Sequence, residues 1–337
     1  MTAPLRLRLD GQALTDNWRA LARMSGPAAC GAAIKADGYG LGAVGVAIRL
    51  ADAGCRDFFV ATWAEAAALA PLNLPVSVLH GVRAEDMDVA LSGIARPVLN
   101  SAVQVARWKA AGGGACDVMI DTGMNRLGLS VDELALLEEL QIETLMSHLA
   151  CADEDHALNQ RQLAAFAGLA RRSSARRLSL ANSAGIGLGA DYAFDLTRPG
   201  LALYGGIPRA AFAGAITQVV TPQAQVLQRR RVAAGATVGY NATWTAPRDT
   251  DVAILNLGYA DGYWRGFSDA GSGEGGRFPV IGRVSMDLVA LDVSGRALSE
   301  GDWVALDYAL PDAARKSGMS QYELLTGLGS RFDRYWI

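Results

Sequence analysis

Lys35 is one of only three lysines in a chain that otherwise writes its positive charges as arginine. It follows an apolar run and precedes a Gly-Tyr-Gly turn, in AAIKADGYGLG (32–42). Lys109, by contrast, falls on an amphipathic helix pattern and Lys316 in a polar loop, both ordinary surface settings. A lysine amine withdrawn from water loses part of its preference for the ammonium form and gains nucleophilicity. The chain has no Ser-His-Asp spacing, so the natural use of such an amine is a Schiff base to a carbonyl cofactor or substrate. The residues leave open the plainer reading of a lysine snorkelling from a strand end.

Five more polar residues fall at comparable places. Arg126 sits in DTGMNRLG (121–128), His148 ends ETLMSH, Asn182 and Ser183 end RRLSLANS, and Arg198 precedes an apolar run in DLTRPGLALYG (195–205). Forked arginine donors suit a phosphate, a carboxylate or a ring nitrogen. His148, Cys151, Asp153, Glu154, Asp155 and His156 include metal-ligand types, but no second paired spacing completes a ligand set. The cluster reads as an acidic helix start, and no metal is expected.

These residues need a frame. From about 28 to 205, short apolar runs alternate with helical patterns: 28–34, 57–61, 76–80, 96–100, 116–121, 143–148, 176–182 and 201–205. Runs of this kind suit strands buried on both faces. Between them lie SAVQVARWKAA, closed by Gly112–Gly114, and SVDELALLEEL, where Ser130 and Glu133 form a capping box. Strands and helices in this alternation predict an α/β fold, a (β/α)8 barrel over residues 1–215, with a doubly wound open sheet as the other topology. In a barrel, the loops after the strands share one rim, which would gather Lys35, Arg126, His148, Ser183 and Arg198. After about residue 215 the hydrophobic period becomes two, predicting a mostly-β domain over 216–337. Its basic run QRRRVAAG (228–235) reads as the solvent side of a strand, and DAGSGEGGRF (269–278) as a hairpin loop.

Composition narrows the classes. A net charge of −3 argues against nucleic acid as a partner, and no run of apolar residues is long enough to span a membrane. Arg6, Arg8 and Asp10 interrupt any secretory core at the N-terminus. The four scattered cysteines then read as reduced thiols in a cytoplasmic protein.

AAIKADGYGLG resembles the pyridoxal-phosphate signature of the alanine racemases. DTGMNRLG, SHLACAD, ANSAG, RPGLALYG, VGYNATW, GYADGY, GRVSMD and QYELLTGLGSRFDRY follow in that family's order along the whole chain. The resemblance implies a barrel followed by a β domain, pyridoxal 5'-phosphate as cofactor, and interconversion of L-alanine and D-alanine. That activity serves either D-alanine supply for the cell wall or L-alanine breakdown. It implies that Lys35 carries the cofactor and is the base for the D-enantiomer, with Tyr240 the opposite base, supplied by the partner subunit of a homodimer with shared sites. A free tyrosine, with a pKa near 10, is a poor base. In the family, hydrogen bonding through His148 to Arg198 surrounds that phenol. Arg198 is implied as the partner of the pyridine nitrogen. Tyr39, Ser183, Gly200, Leu201 and Tyr322 match phosphate-binding positions. Arg126 and the main chain of Met286 are implied to bind the substrate carboxylate, and Tyr259 to line the entrance.

Two positions depart from the family. Many members carry a lysine, modified to a carbamate that orients the arginine, where this chain has Met119. Asn125, an anion or water is then expected to position Arg126. The family's cysteine before Met-Asp is Ser285. Alternative activities are a broad-specificity racemase on the same fold, a decarboxylase, which would want a carboxylate in place of Arg198, and a cofactor carrier, which would lack the β domain.

Overall fold

A computed structural model describes residues 3–170 and 172–337. The chain divides into two compact units: Leu14–Thr217, and Gln218–Ile337 together with the segment ending at Ala13.

In the first unit, seven short strands pair in parallel and in chain order: Ala32–Ala33, Phe58–Val60, Val76–Val78, Arg96–Leu99, Cys116–Met119, Ile142–Met146 and Arg177–Ser179. Several are buried at every position, because helices cover one face and the barrel interior the other. An eighth strand, Leu196–Thr197, closes the ring. It pairs in parallel with Ala29–Cys30. On its other side, Asp195 N donates to Leu178 O (3.1 Å) and Arg198 N to Ala181 O (2.8 Å). The sheet is therefore the expected (β/α)8 barrel.

The eighth strand is not where the apolar run predicted it. Leu201–Tyr204 is a 3₁₀ turn, buried at all four positions, with Leu203 N bonded to Gly200 O (2.9 Å). A short apolar run reads alike as buried strand or buried helical turn. Pro199 has no N–H to extend the ladder, so the strand stops before it. Arg198 consequently follows the last strand instead of preceding it.

The connecting helices include Ala43–Ala53, Trp63–Leu69, Ala102–Ala110 and Ala157–Ala170. Ser101 caps the third of these by accepting from Gln104 N (3.3 Å). The Ser130 box also forms, Glu133 accepting from Ser130 N (2.8 Å), but Val131–Leu137 winds as 3₁₀. Only Leu137 of that segment is buried, so no apolar stripe holds α-helical turns in place. At the strands' N-terminal ends, Arg177 forks onto Asp57 (2.6 and 3.0 Å), and Ser77 Oγ donates to the fully buried Asp117 (2.5 Å).

The second unit is organised by the strand Val220–Val232, whose residues alternate in burial before an exposed Leu227–Arg231 segment. It pairs with Leu5–Leu9, Thr250–Leu255 and Trp303–Ala305. Asp333–Trp336 runs parallel to Leu5–Leu9, and Val289–Asp292 extends the sheet from Thr250–Leu255. The basic run lies on the solvent side, where Arg229 and Arg231 meet Asp251 and Asp249 (3.4 and 3.3 Å). Leu5–Leu9, counted above with the barrel, belongs to this sheet: Leu5, Leu7 and Leu9 are buried, the arginines between them point outward, and that period of two suits a strand. Ser272–Gly273 and Phe278–Pro279 form the expected hairpin. Among the described residues, no helix is long and apolar enough to cross a membrane.

Gly31 interrupts the first barrel strand, and a Cβ there would lie 2.9 Å from both Asp57 O and Phe59 Cε2. Gly31→Val should therefore destabilise the chain by about 1–3 kcal/mol, read as a lowered urea midpoint; an unchanged midpoint would show that the barrel yields there.

Candidate active site

The rim begins where the first strand ends. Ile34 N still bonds Phe59 O (2.8 Å), and Lys35 follows it. The backbone then enters the left-handed region at Ala36, Asp37, Gly38 and Tyr39 (φ 53°, 52°, 63° and 56°). A left-handed turn costs roughly 1–2 kcal/mol for each residue that carries a Cβ. It turns Tyr39 inward, buried and stacked on Tyr204 with centroids 4.7 Å apart. The half-buried Lys35 amine makes no hydrogen bond or ion pair among the described residues. Burial, followed by the charge of Arg126, pushes its pKa below the usual lysine value, and Glu65 partly offsets this.

Arg126 rides on a loop fixed through its backbone. Asp121 Oδ1 accepts from Gly123 N and Met124 N (2.8 and 2.9 Å), and Leu129 N returns to Met119 O (2.9 Å). Gly128 lies so close to Asp121 that a Cβ would come within 2.5 Å of its nitrogen. The guanidinium itself is exposed and unbonded among the described residues. Met119 offers it no charge, and Asn125, left-handed at φ 54°, does not bond it. The loop geometry fixes the backbone that carries Arg126.

Arg198 is 6% exposed, the deepest of the rim's cations. Nη2 donates to Ser147 O (2.6 Å) and Nη1 to Ser179 Oγ, with the guanidinium 6.0 Å above the Phe59 ring. Burial brings its pKa down to about 10, so it stays charged at neutral pH. His148 feels burial first, then Arg198, Arg126 and Lys35, and its pKa falls to about 3. Its imidazole is therefore neutral, and no hydrogen bond joins it to Arg198.

Ser183 Oγ accepts from Gly200 N (2.8 Å) and Ala202 N (3.2 Å), while Asn182 caps the turn Ser183–Ile186 by accepting from Gly185 N (2.9 Å). A Cβ on Gly200 would stand 2.2 Å from Tyr39 Oη, so only glycine lets this backbone meet that phenol. Leu201 is 2% exposed, yet its N–H has no acceptor among the described residues. Lys35, Tyr39, Arg126, His148, Ser183, Arg198, Gly200 and Leu201 thus all belong to the barrel unit.

The β unit brings together Tyr240, Tyr259 and Met286. They line a concavity of about 250 Å³ with Asn241, Arg265, Arg283 and Val284. Tyr240 is 66% and Met286 54% exposed. Arg265 lies over the Tyr259 ring, 4.9 Å from its centroid. Tyr322, on the helix Gln321–Thr326, is not among these lining residues. Arg331 bonds Asp261 (2.6 Å) and Asp287 (2.7 Å), the acids that follow Tyr259 and Met286 in the sequence. Arg265, Arg283 and Arg331 were not singled out in the sequence. Their signal was weak: Arg265 follows Tyr259 by six residues and Arg283 precedes Met286 by three, in turn-rich segments.

Residues 9–208 match the N-terminal domain of alanine racemase, and residues 219–336 its C-terminal domain. The chain belongs to the alanine racemase family. It is 40% identical to the alanine racemase of Rhizobium meliloti, covering 100% of this chain and 98% of that one. It is 42% identical to the catabolic alanine racemase of Agrobacterium fabrum, covering 98% and 92%. Its structure resembles that of the Bartonella henselae alanine racemase with covalently bound pyridoxal phosphate, at a TM-score of 0.91 and 35% identity over 99% of both chains.

For this alanine racemase family member, the neutral His148 has a consequence for stability. Its folded pKa, about 3, lies below the unfolded value near 6.5, so the unfolded chain binds the extra proton between these limits. Stability should fall as pH drops from 6.5 towards 3, by up to about 1.4 kcal/mol per pH unit from this residue. Urea titrations from pH 7 to 4.5 should show a shallower decline in His148→Gln than in the parent; equal slopes, or a His148 ring signal titrating near 6.5, would refute this.

Proposed function

We propose that this chain interconverts L-alanine and D-alanine, with pyridoxal phosphate held at the barrel rim. The observation that carries the reading is the unbonded Lys35 amine, its ammonium form disfavoured by burial and by Arg126. The rim's donor set fits the cofactor. Lys35 offers an amine for an aldehyde, the unpaired N–H of buried Leu201 and the hydroxyls of Ser183 and Tyr39 suit a phosphate, and Arg198 offers spare guanidinium N–H groups to a ring nitrogen. When bound, pyridoxal phosphate supplies a conjugated ring that delocalises negative charge from the amino acid's Cα.

Racemisation takes a proton from one face of Cα and returns one to the other, so two acid–base groups must flank it. We assign Lys35 to the face that serves D-alanine and Tyr240 to the face that serves L-alanine. Arg198 stays protonated and can only donate, which suits it to a ring nitrogen kept as an acceptor. Arg126 and the Met286 amide would orient the substrate carboxylate, with Tyr259 lining the approach and Tyr322 helping to hold the phosphate. A base as exposed as Tyr240 needs a cover that excludes water. A second copy of the chain is the proposed cover, making the active species a homodimer with Tyr240 and Met286 acting in the partner's site. Free cysteines, three of the four buried, suit a reducing cytoplasm.

The test is L-alanine with the cofactor-loaded protein in heavy water, followed by chiral separation and mass analysis. D-alanine with an α-deuteron, while the remaining L-alanine keeps protium, is the expected result; no D-alanine would refute the reading. Tyr240→Phe should lower kcat in the L-to-D direction by about 10²–10⁴-fold, and an unchanged rate would exclude Tyr240 as the second base.

A further inference from the structure

The residue after Lys35 is held by a carboxylate from a neighbouring element. Glu65 Oε1 accepts from Ala36 N (2.7 Å), the first amide of the left-handed run. Its Oε2 accepts from Ala61 N (2.6 Å) and Thr62 N (3.2 Å), where the next strand ends and the helix Trp63–Leu69 starts. Glu65 is fixed in turn, its own N–H bonding Thr62 Oγ1 (3.3 Å). One carboxylate thus spans two adjacent strand ends of the rim. The far end of the run is closed by Asp37, whose side chain accepts from Ala43 N (2.8 Å) and whose carbonyl accepts from Gly42 N (2.9 Å).

A capping box at 62–65 would form in any helix of this sequence; the bond to Ala36 is what capping does not require. Three residues of the run carry a Cβ, so its conformation persists only where surrounding contacts over-determine it. Glu65 supplies such a contact directly beside Lys35. It is also the acid whose charge acts on that amine, opposing the charge of Arg126.

We propose that Glu65 is a positioning residue for Lys35: its carboxylate clamps the left-handed turn that carries the amine and sets a negative charge beside it. This rests on Lys35 being the reactive amine. Glu65→Gln is the informative change. An amide has one oxygen, so it cannot accept at both Ala36 and the Ala61–Thr62 pair, and it carries no charge.

The experiment uses the full chain, freed of cofactor by dialysis, and labels its lysines with acetic anhydride across pH, read by peptide mass spectrometry. Lys109 and Lys316 serve as internal controls. In Glu65→Gln the Lys35 labelling midpoint should move to lower pH, the Ala36 amide should exchange with deuterium at least tenfold faster, and kcat/KM of the reloaded protein should fall at least tenfold. Lys109 and Lys316 should label as in the parent. A Lys35 midpoint and an Ala36 exchange rate both equal to the parent's would overturn the proposal. If Glu65→Gln does not fold, Glu65→Asp decides: the shorter side chain keeps the charge but not the span, so Ala36 exchange should accelerate, and parental exchange would overturn the proposal. A parent chain that does not racemise alanine refutes the functional reading, whereas the Lys35 midpoint is read independently of turnover.

Discussion

The barrel rim brings the charges of Arg198, Arg126 and Lys35 to bear on one buried imidazole, His148, and this electrostatic constraint shapes the rest of the site. Lys35 in turn feels the charge of Arg126, while burial is what acts first on Arg198. The guanidinium of Arg198 stays charged and is satisfied by Ser147 O and Ser179 Oγ. Imidazole gives way and is neutral. The ammonium form of the lysine is disfavoured by burial and by Arg126, which favours its use as a nucleophile. An anionic ligand with an acceptor nitrogen relieves the crowding, so affinity for such a cofactor follows from the same charges that tune the residues.

That arrangement depends on closing the barrel. Leu196–Thr197 is only two residues long, but it bonds both to the first strand and to the segment after Arg177–Ser179. It delivers Arg198 to the interior and Gly200 to the face of Tyr39. The left-handed turn after Lys35 accomplishes the complementary task, reversing the chain tightly enough for Tyr39 to reach Gly200. Conformational strain at 36–39 is thus tied to one tyrosine contact, one glycine and one glutamate clamp.

Much of this was legible in the sequence, for physical reasons. Lys35 stood out because arginine fills nearly every other basic position, and the strand-then-polar-residue pattern located Arg126, His148 and Ser183 on one rim. The alternation after residue 215 announced the β unit. Four features were hidden. The apolar run 201–205 carries the same hydrophobic signal whether extended or wound as 3₁₀, so the eighth strand was misplaced. Leu5–Leu9 joins residues more than 200 positions away, and no local pattern reveals such a partner. Glu65 looks like any helix cap, and Ala36 and Asp37 give no hint of a left-handed turn, since glycine rather than alanine normally marks that region. Arg265, Arg283 and Arg331 acquire meaning only once distant turns meet around Tyr240.

The central claim is that Lys35, and no other lysine, is the reactive amine. The most direct measurement adds pyridoxal phosphate to the purified chain, reduces with borohydride, and locates the retained cofactor by peptide mass. With only three lysines in the chain, the readout is unambiguous. The modification is expected on the peptide containing Lys35, with Lys109 and Lys316 unmodified. Modification of Lys109 or Lys316 in preference to Lys35 would contradict it.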